Sequence, residues 1–126
     1  MKNYKIQRLK LTTTNHFILE VGINDVPGIF ILDTGASNTC VGIDRAAFFG
    51  LHALASDIKA AGAGTTEMET SIAKNNTITI GAWTKTRQKI VLFDLVHVNQ
   101  ALVAHQSQPV DGFIGADILK KAKAII

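Results

Sequence analysis

Ile29-Phe30-Ile31-Leu32-Asp33-Thr34-Gly35-Ala36-Ser37 runs four apolar residues straight into a carboxylate, with a hydroxyl residue and a glycine directly behind it. The apolar run is short and bulky, which predicts a buried strand. A carboxylate at the end of such a strand is costly unless donors hold it. A tight turn at Gly35 supplies them, because glycine accepts backbone conformations that other residues avoid and lets N–H groups close on Asp33. The Thr34 hydroxyl is a second group expected to tie the turn down. Read alone, the stretch also fits an ordinary Asx-type turn in which Asp33 caps its neighbours.

Upstream, Phe17, Leu19, Val21 and Ile23 fall on one face, with His16, Glu20 and Asn24 on the other. That period of two predicts a half-buried strand. Asn24-Asp25-Val26-Pro27-Gly28 carries turn chemistry, so residues 29–32 return as the second arm of a hairpin with Asp33 at its tip. Residues 4–14, with Ile6, Leu9 and Leu11, read as an outer strand that ends in a turn at 12–15.

Downstream, Asn38-Thr39-Cys40-Val41 leaves the loop. Asp44 is expected to cap a short helix over residues 45–49, with Ile43 stapled to Phe48 and Gly50 as the stop. A strand at 57–60 and an alternating run with Thr66, Met68, Thr70 and Ile72 predict a long hairpin across Ala61-Gly62-Ala63-Gly64-Thr65-Thr66. Its tip falls between 62 and 70; an ordinary mobile loop is the competing reading. Residues 77–80 form another strand, broken by Gly81-Ala82, with Trp83 over the edge of the core. Residues 89–98 read as the central strand of the second half, with Asp94 facing outward, and 99–109 as polar loop.

A second informative element lies near the end, Val110-Asp111-Gly112-Phe113-Ile114-Gly115-Ala116-Asp117-Ile118-Leu119. A short apolar strand reaches Gly115 and a helix begins at once. Asp117 in its first turn and Lys120, Lys121 and Lys123 toward its end suit the helix dipole.

The loop at Asp33 and the strand at Gly115 together resemble the catalytic loop and the apolar-apolar-Gly strand of retroviral-type (retropepsin-like) aspartic proteases, in their bacterial or cellular single-domain branch. Ala36 is closer to that type than to pepsins, which usually carry Ser there. The order of elements resembles the family over most of the chain, although only these two stretches match as motifs. The resemblance implies an all-β fold, a closed or semi-closed acid-protease barrel with one or two short helices, and residues 1–126 as one domain. In that fold the glycine strand threads beside the catalytic loop. The resemblance assigns catalytic roles to Asp33, Thr34 and Gly35, and substrate contacts to Ala36, Ser37 and Asn38 and, from a flap, to Gly62, Ala63 and Gly64. One departure stands out. Retroviral enzymes often carry Arg before the helix Asp, paired to an acidic residue after the loop; here Ala116, Ser37 and Asn38 occupy those places.

The chain has 126 residues and a single Asp-Thr-Gly, too little for the two-lobed pepsin arrangement. The chemistry implied by the resemblance needs two carboxylates, so a homodimer must supply the second. Two carboxylates a few ångströms apart cannot both ionise and share one proton. One Asp33 then acts as general base on a water while the partner's Asp33 polarises the scissile carbonyl. The implied function is an aspartic endopeptidase acting on a peptide or protein substrate. With no hydroxyl at Ala36, its working range is expected to be less acidic than that of pepsins. The apolar Ile125-Ile126 fits pairing of terminal strands between copies. Three rivals remain: a catalytically silent peptide-binding or dimerisation module of the same fold, a plain structural β domain, and phosphoryl transfer through an aspartyl nucleophile. The last lacks an acidic residue two positions on, where Gly35 stands, and lacks a phosphate-cradling loop.

Composition narrows the partners. A net charge of +3 is spread over small groups such as Lys85/Arg87/Lys89, which argues against nucleic acid. Cys40 is the only cysteine, so no intrachain disulfide forms, and it reads as a small core residue. His16, His52, His97 and His105 lack metal-ligand spacing, so neither metal nor cofactor is expected. No run has signal-peptide or membrane-span character, which makes the cytoplasm the expected location.

Overall fold

The computed structural model describes residues 5–55 and 70–126. The alternating N-terminal third builds a hairpin. A two-residue edge strand, β1 (Lys10–Leu11), pairs with the start of β2 (Phe17–Ile23), which pairs antiparallel with β3 (Val26–Leu32). Asn24 and Asp25 both take positive φ, 50° and 67°, and make the connecting turn. That handedness matches the twist of the strands, and Asn and Asp tolerate it. The long outer strand expected over 4–14 is reduced to β1, because Lys5 to Leu9 finds no ladder partner among the described residues.

The remaining strands are β4 (Cys40–Gly42), β5 (Ala53–Ala55), β6 (Ser71–Ile80), β7 (Trp83–Phe93) and β8 (Gly112–Ile114). Six of them run in the order β2-β3-β8-β4-β7-β6, and a β2–β6 pairing at Gly22/Thr79 and Ile23/Ile78 closes the circle into a barrel. The short strands β1 and β5 hang on its flanks. Closure removes the exposed edges of an open sheet. Leu19, Val21, Ile23, Phe30, Val41, Ile78, Ile90, Leu92 and Ile114 fill the interior. Trp83 packs half-buried against this cluster, as expected of a residue covering its edge.

Two helical expectations need correction. Residues 45–49 do not form a capped helix. A single 3-10 turn, Ile43–Arg45, starts from Gly42 without any side-chain cap, and turns continue to Gly50 at φ +66°. Ile43 and Phe48 are both half exposed rather than stapled. Phe48 instead lies under the Arg45 guanidinium, 3.9 Å from ring centre to Cζ, and edge-on to the fully buried Phe49.

The second correction concerns residues 89–109. The strand stops at Phe93, and a helix, α1 (Val96–Ala104), occupies most of the stretch read as loop. Asp94 faces outward as expected, and its Oδ1 accepts the Val96 N–H at 2.8 Å, turning the chain into α1. Nine residues seldom hold a helix alone. Leu102 anchors it in an apolar cluster with Ile18, Ile31 and Val110 on the outer face of the hairpin. Asn99 adds a double clasp, accepting from Val110 N–H at 2.8 Å and donating to Val110 C=O at 3.0 Å. A final helix, α2 (Ala116–Lys121), follows β8, with Asp117 in its first turn and Lys120 and Lys121 in its last.

Candidate active site

β3 carries Asp33 to the barrel rim. Its N–H donates to Ile114 C=O at 2.9 Å, so the parallel β3–β8 ladder continues one residue beyond Leu32. The Gly35 N–H donates to Asp33 Oδ1 at 3.0 Å, and Ala36 N–H to the Asp33 carbonyl at 3.2 Å. The turn therefore closes as its glycine suggests. The Thr34 hydroxyl, expected to help, makes no hydrogen bond among the described residues; Thr34 is exposed, and backbone groups alone close the turn. Gly35 and Ser37 are exposed, while Asp33, Ala36 and Asn38 are half buried. The second Asp33 oxygen has no partner among the described residues. Gly62, Ala63 and Gly64, with the rest of the expected hairpin tip and the strand at 57–60, lie outside the described residues.

The loop crosses the β8–α2 junction at close quarters. A Cβ on Gly115 would stand 2.8 Å from Ala36 O and from both C and O of Asn38, so only glycine fits. Ala116 N–H donates to Ala36 C=O at 2.7 Å. The fully buried Thr39 lies at the centre of the crossing. Its Oγ1 accepts from Gly115 N–H at 3.0 Å and donates to Asp117 Oδ1 at 2.9 Å, and its N–H reaches the same oxygen at 2.9 Å. Ile118 N–H adds a further bond to that oxygen at 2.8 Å. A threonine and a carboxylate thus join the loop to the first turn of α2.

Thr39, Asp117 and a second carboxylate, Asp111, were not singled out from the sequence for these roles. Asp111 accepts from Arg45 Nε and from Ile29 N–H, each at 2.9 Å, and pins the start of β8 to the middle of β3, the strand that carries Asp33. The available signal was placement: Asp111 and Asp117 flank an otherwise apolar run. Cys40 is buried as expected, and burial pushes its thiol up to about 12. The nearby negative charges of Asp33 and Asp117 add to that rise. No cluster of His, Cys, Asp and Glu that could hold a metal occurs among the described residues. No helix among them is long and apolar enough to cross a membrane.

The arrangement presents a carboxylate with one oxygen fixed and the other open, on a loop rigidly braced from behind and exposed in front. That suits a group that must hold and move a proton at a defined position.

The aspartyl protease family profile matches residues 19–118, which spans hairpin, loop and crossing. EIAV protease in complex with an inhibitor superposes with a TM-score of 0.64 at 20% identity, over 100% of this chain and 97% of that one. A retropepsin-like aspartic protease from Rickettsia conorii superposes at 0.54 and 15% identity, over 86% of this chain and 71% of that one. No curated protein matches the chain in sequence. With its closed barrel and the braced Asp33 loop, the chain belongs to the aspartyl protease family and has the retropepsin-like fold.

Proposed function

We propose that this protein is an aspartic endopeptidase that works as a homodimer, each copy contributing Asp33 to one shared site. The observation that carries the reading is the half-satisfied carboxylate of Asp33, on an exposed loop, in a chain with a single Asp-Thr-Gly. The exposed apolar residues Ile6, Ile125 and Ile126, beside a groove of about 830 Å³ running along Leu32, Trp83 and Leu119, support pairing through the terminal segments.

In the dimer one carboxylate is ionised and the other protonated. The ionised Asp33 takes a proton from a water held between the two. The resulting hydroxide equivalent attacks the peptide carbonyl carbon, while the protonated partner donates its hydrogen bond to the carbonyl oxygen. Collapse of the tetrahedral species breaks the C–N bond as a carboxyl group delivers the proton to the leaving amine. Thr34, exposed at the front, meets its counterpart across the two-fold axis. Gly35, Ala36, Ser37 and Asn38 run along the bound peptide, and the flap contacts assigned to Gly62, Ala63 and Gly64 complete the reading.

The test is cleavage of a pool of unstructured peptides by purified protein, compared with Asp33→Asn. Loss of cleavage in the variant is expected. Mixing active protein with excess Asp33→Asn should reduce activity beyond dilution, since mixed dimers hold one competent acid. Cleavage that persists in Asp33→Asn, or a protein that stays monomeric while cleaving, overturns the proposal.

A further inference from the structure

A cavity of about 320 Å³ opens beside the Asp33 loop, lined by His16, Ile31, His97, Val98, Ala101, Leu102 and Phe113. Its position relative to the candidate acid follows from register. The β2–β3 ladder ends at Ile18 and Ile31, and of the lining residues Ile31 is the one nearest to Asp33 along the chain. Ile31 precedes Asp33 by two residues on the same strand, and residues two apart share a face of a sheet. Asp33 also acts electrostatically on Cys40, which packs against Phe113 and Val98 of the cavity wall.

The cavity is a built feature. Its outer wall is α1, held down by Leu102 and the Asn99 clasp. The turn between β1 and β2 reaches over to the far end of that helix, where Thr13 Oγ1 donates to His105 C=O at 3.3 Å. The same turn orients His16: its Nδ1 bonds Thr14 Oγ1 at 2.8 Å, and Thr14 in turn contacts Thr12 Oγ1 at 3.0 Å. Nε2 makes no hydrogen bond among the described residues. His97 sits in the first turn of α1 and also lines the cavity; both histidines are exposed.

We infer that His16 and His97 are specificity-determining residues that select tyrosine as the substrate side chain entering this cavity. The inference rests on the endopeptidase reading above. The floor and walls, Ile31, Val98, Ala101, Leu102 and Phe113, favour a flat apolar body. A cavity of this size takes one large side chain. An imidazole offers a donor and an acceptor when neutral and two donors when protonated. A phenol hydroxyl both donates and accepts, so it meets either state. A carboxylate only accepts and would lose its water against apolar walls, which is costly. Phenylalanine fills the same volume but leaves both imidazoles unanswered.

The experiment compares kcat/KM for matched peptides that differ only in Tyr, Phe, Glu or Ala beside the scissile bond. Tyrosine should exceed phenylalanine by about three- to tenfold, the worth of one partly solvated neutral hydrogen bond. His16→Leu with His97→Leu should bring the Tyr/Phe ratio to about one, whereas His16→Gln with His97→Gln, which keep a donor and an acceptor, should preserve the preference. Ala101→Phe, which fills the cavity from the helix side, should cut cleavage of both aromatic peptides relative to the alanine peptide. Equal rates for Tyr and Phe in the unaltered protein, or a ratio unmoved by the leucine pair, overturn this inference and leave the endopeptidase reading standing. Absence of any Asp33-dependent cleavage overturns both.

Discussion

Asp33, on the loop after β3, and Asp117, in the first turn of α2, stand on segments that cross at Gly115, and the fold holds them differently. Asp117 receives Thr39 N–H, Thr39 Oγ1–H and Ile118 N–H on a single oxygen. Asp33 receives one backbone N–H and keeps the other oxygen open. A carboxylate oxygen on which three donors converge is fixed in place and contributes to stability. One that receives a single backbone N–H at the rim contributes less to folding. The comparison separates a brace from the proposed reagent, although both are Asp and both sit beside a glycine-bearing crossing.

The sharpest way to break this comparison is to neutralise each acid in turn. Asp33→Asn keeps an acceptor for Gly35 N–H, so melting should move little, while peptide cleavage falls on the order of a thousandfold or more. Asp117→Ala should do the reverse. It strands the donors of a buried threonine, and should cost about 2–4 kcal/mol in denaturant unfolding. Should Asp33→Asn unfold the protein, or Asp117→Ala leave stability untouched, the division of labour is wrong. Gly115→Ala probes the crossing itself: its methyl meets backbone atoms of Ala36 and Asn38, for an expected loss of about 1–3 kcal/mol.

Cys40 reports on the field between the two acids. Its thiol is raised in the folded state, from 9.0 to about 12, first by burial and then by Asp33 and Asp117. The native state therefore holds the proton more tightly than the unfolded chain does. The linked stability is complete below about pH 9 and drains away as pH climbs toward 12. Urea titrations across that window should show the decline, and Cys40→Ala should flatten it. A thiol reagent at pH 8 should label unfolded but not native protein. The smallest effect is expected at Arg45, whose ion pair with Asp111 is partly solvated: Arg45→Ala should cost about 0.5–1 kcal/mol by thermal melting.

What was legible and what was not divides along physical lines. The hairpin of β2 and β3 was readable because Leu19, Val21 and Ile23 obey a strict period of two with a turn signal behind them. The β8–Gly115–α2 element was readable because an apolar run, a glycine and a dipole-matched helix follow one another directly between Gly112 and Lys121. The stretch at 94–104 was misread. Val96 and Val98 prolong the strand pattern, the polar residues from Asn99 onward suggest a loop, and no capping box announces the helix; Leu102 and Asn99 make it one by docking on partners elsewhere in the chain. The turn after Gly42 failed as a helix because Asp44 caps nothing while Arg45 is drawn aside to Asp111. At the candidate site, Asp33 and Gly35 announced themselves. Thr39 and Asp117 did not, because their importance lies in contact across 78 positions of sequence.

The order of residues alone determined the strand-borne acid, its glycine turn, the second glycine strand and the solitary Asp-Thr-Gly, since each depends only on neighbours a few bonds away. Tertiary structure decided which carboxylate is braced and which is left open. It also raised α1 over the hairpin and gathered His16 and His97 about one cavity. These are outcomes of long-range burial and hydrogen-bond pairing, and local sequence holds no record of the partner that completes them.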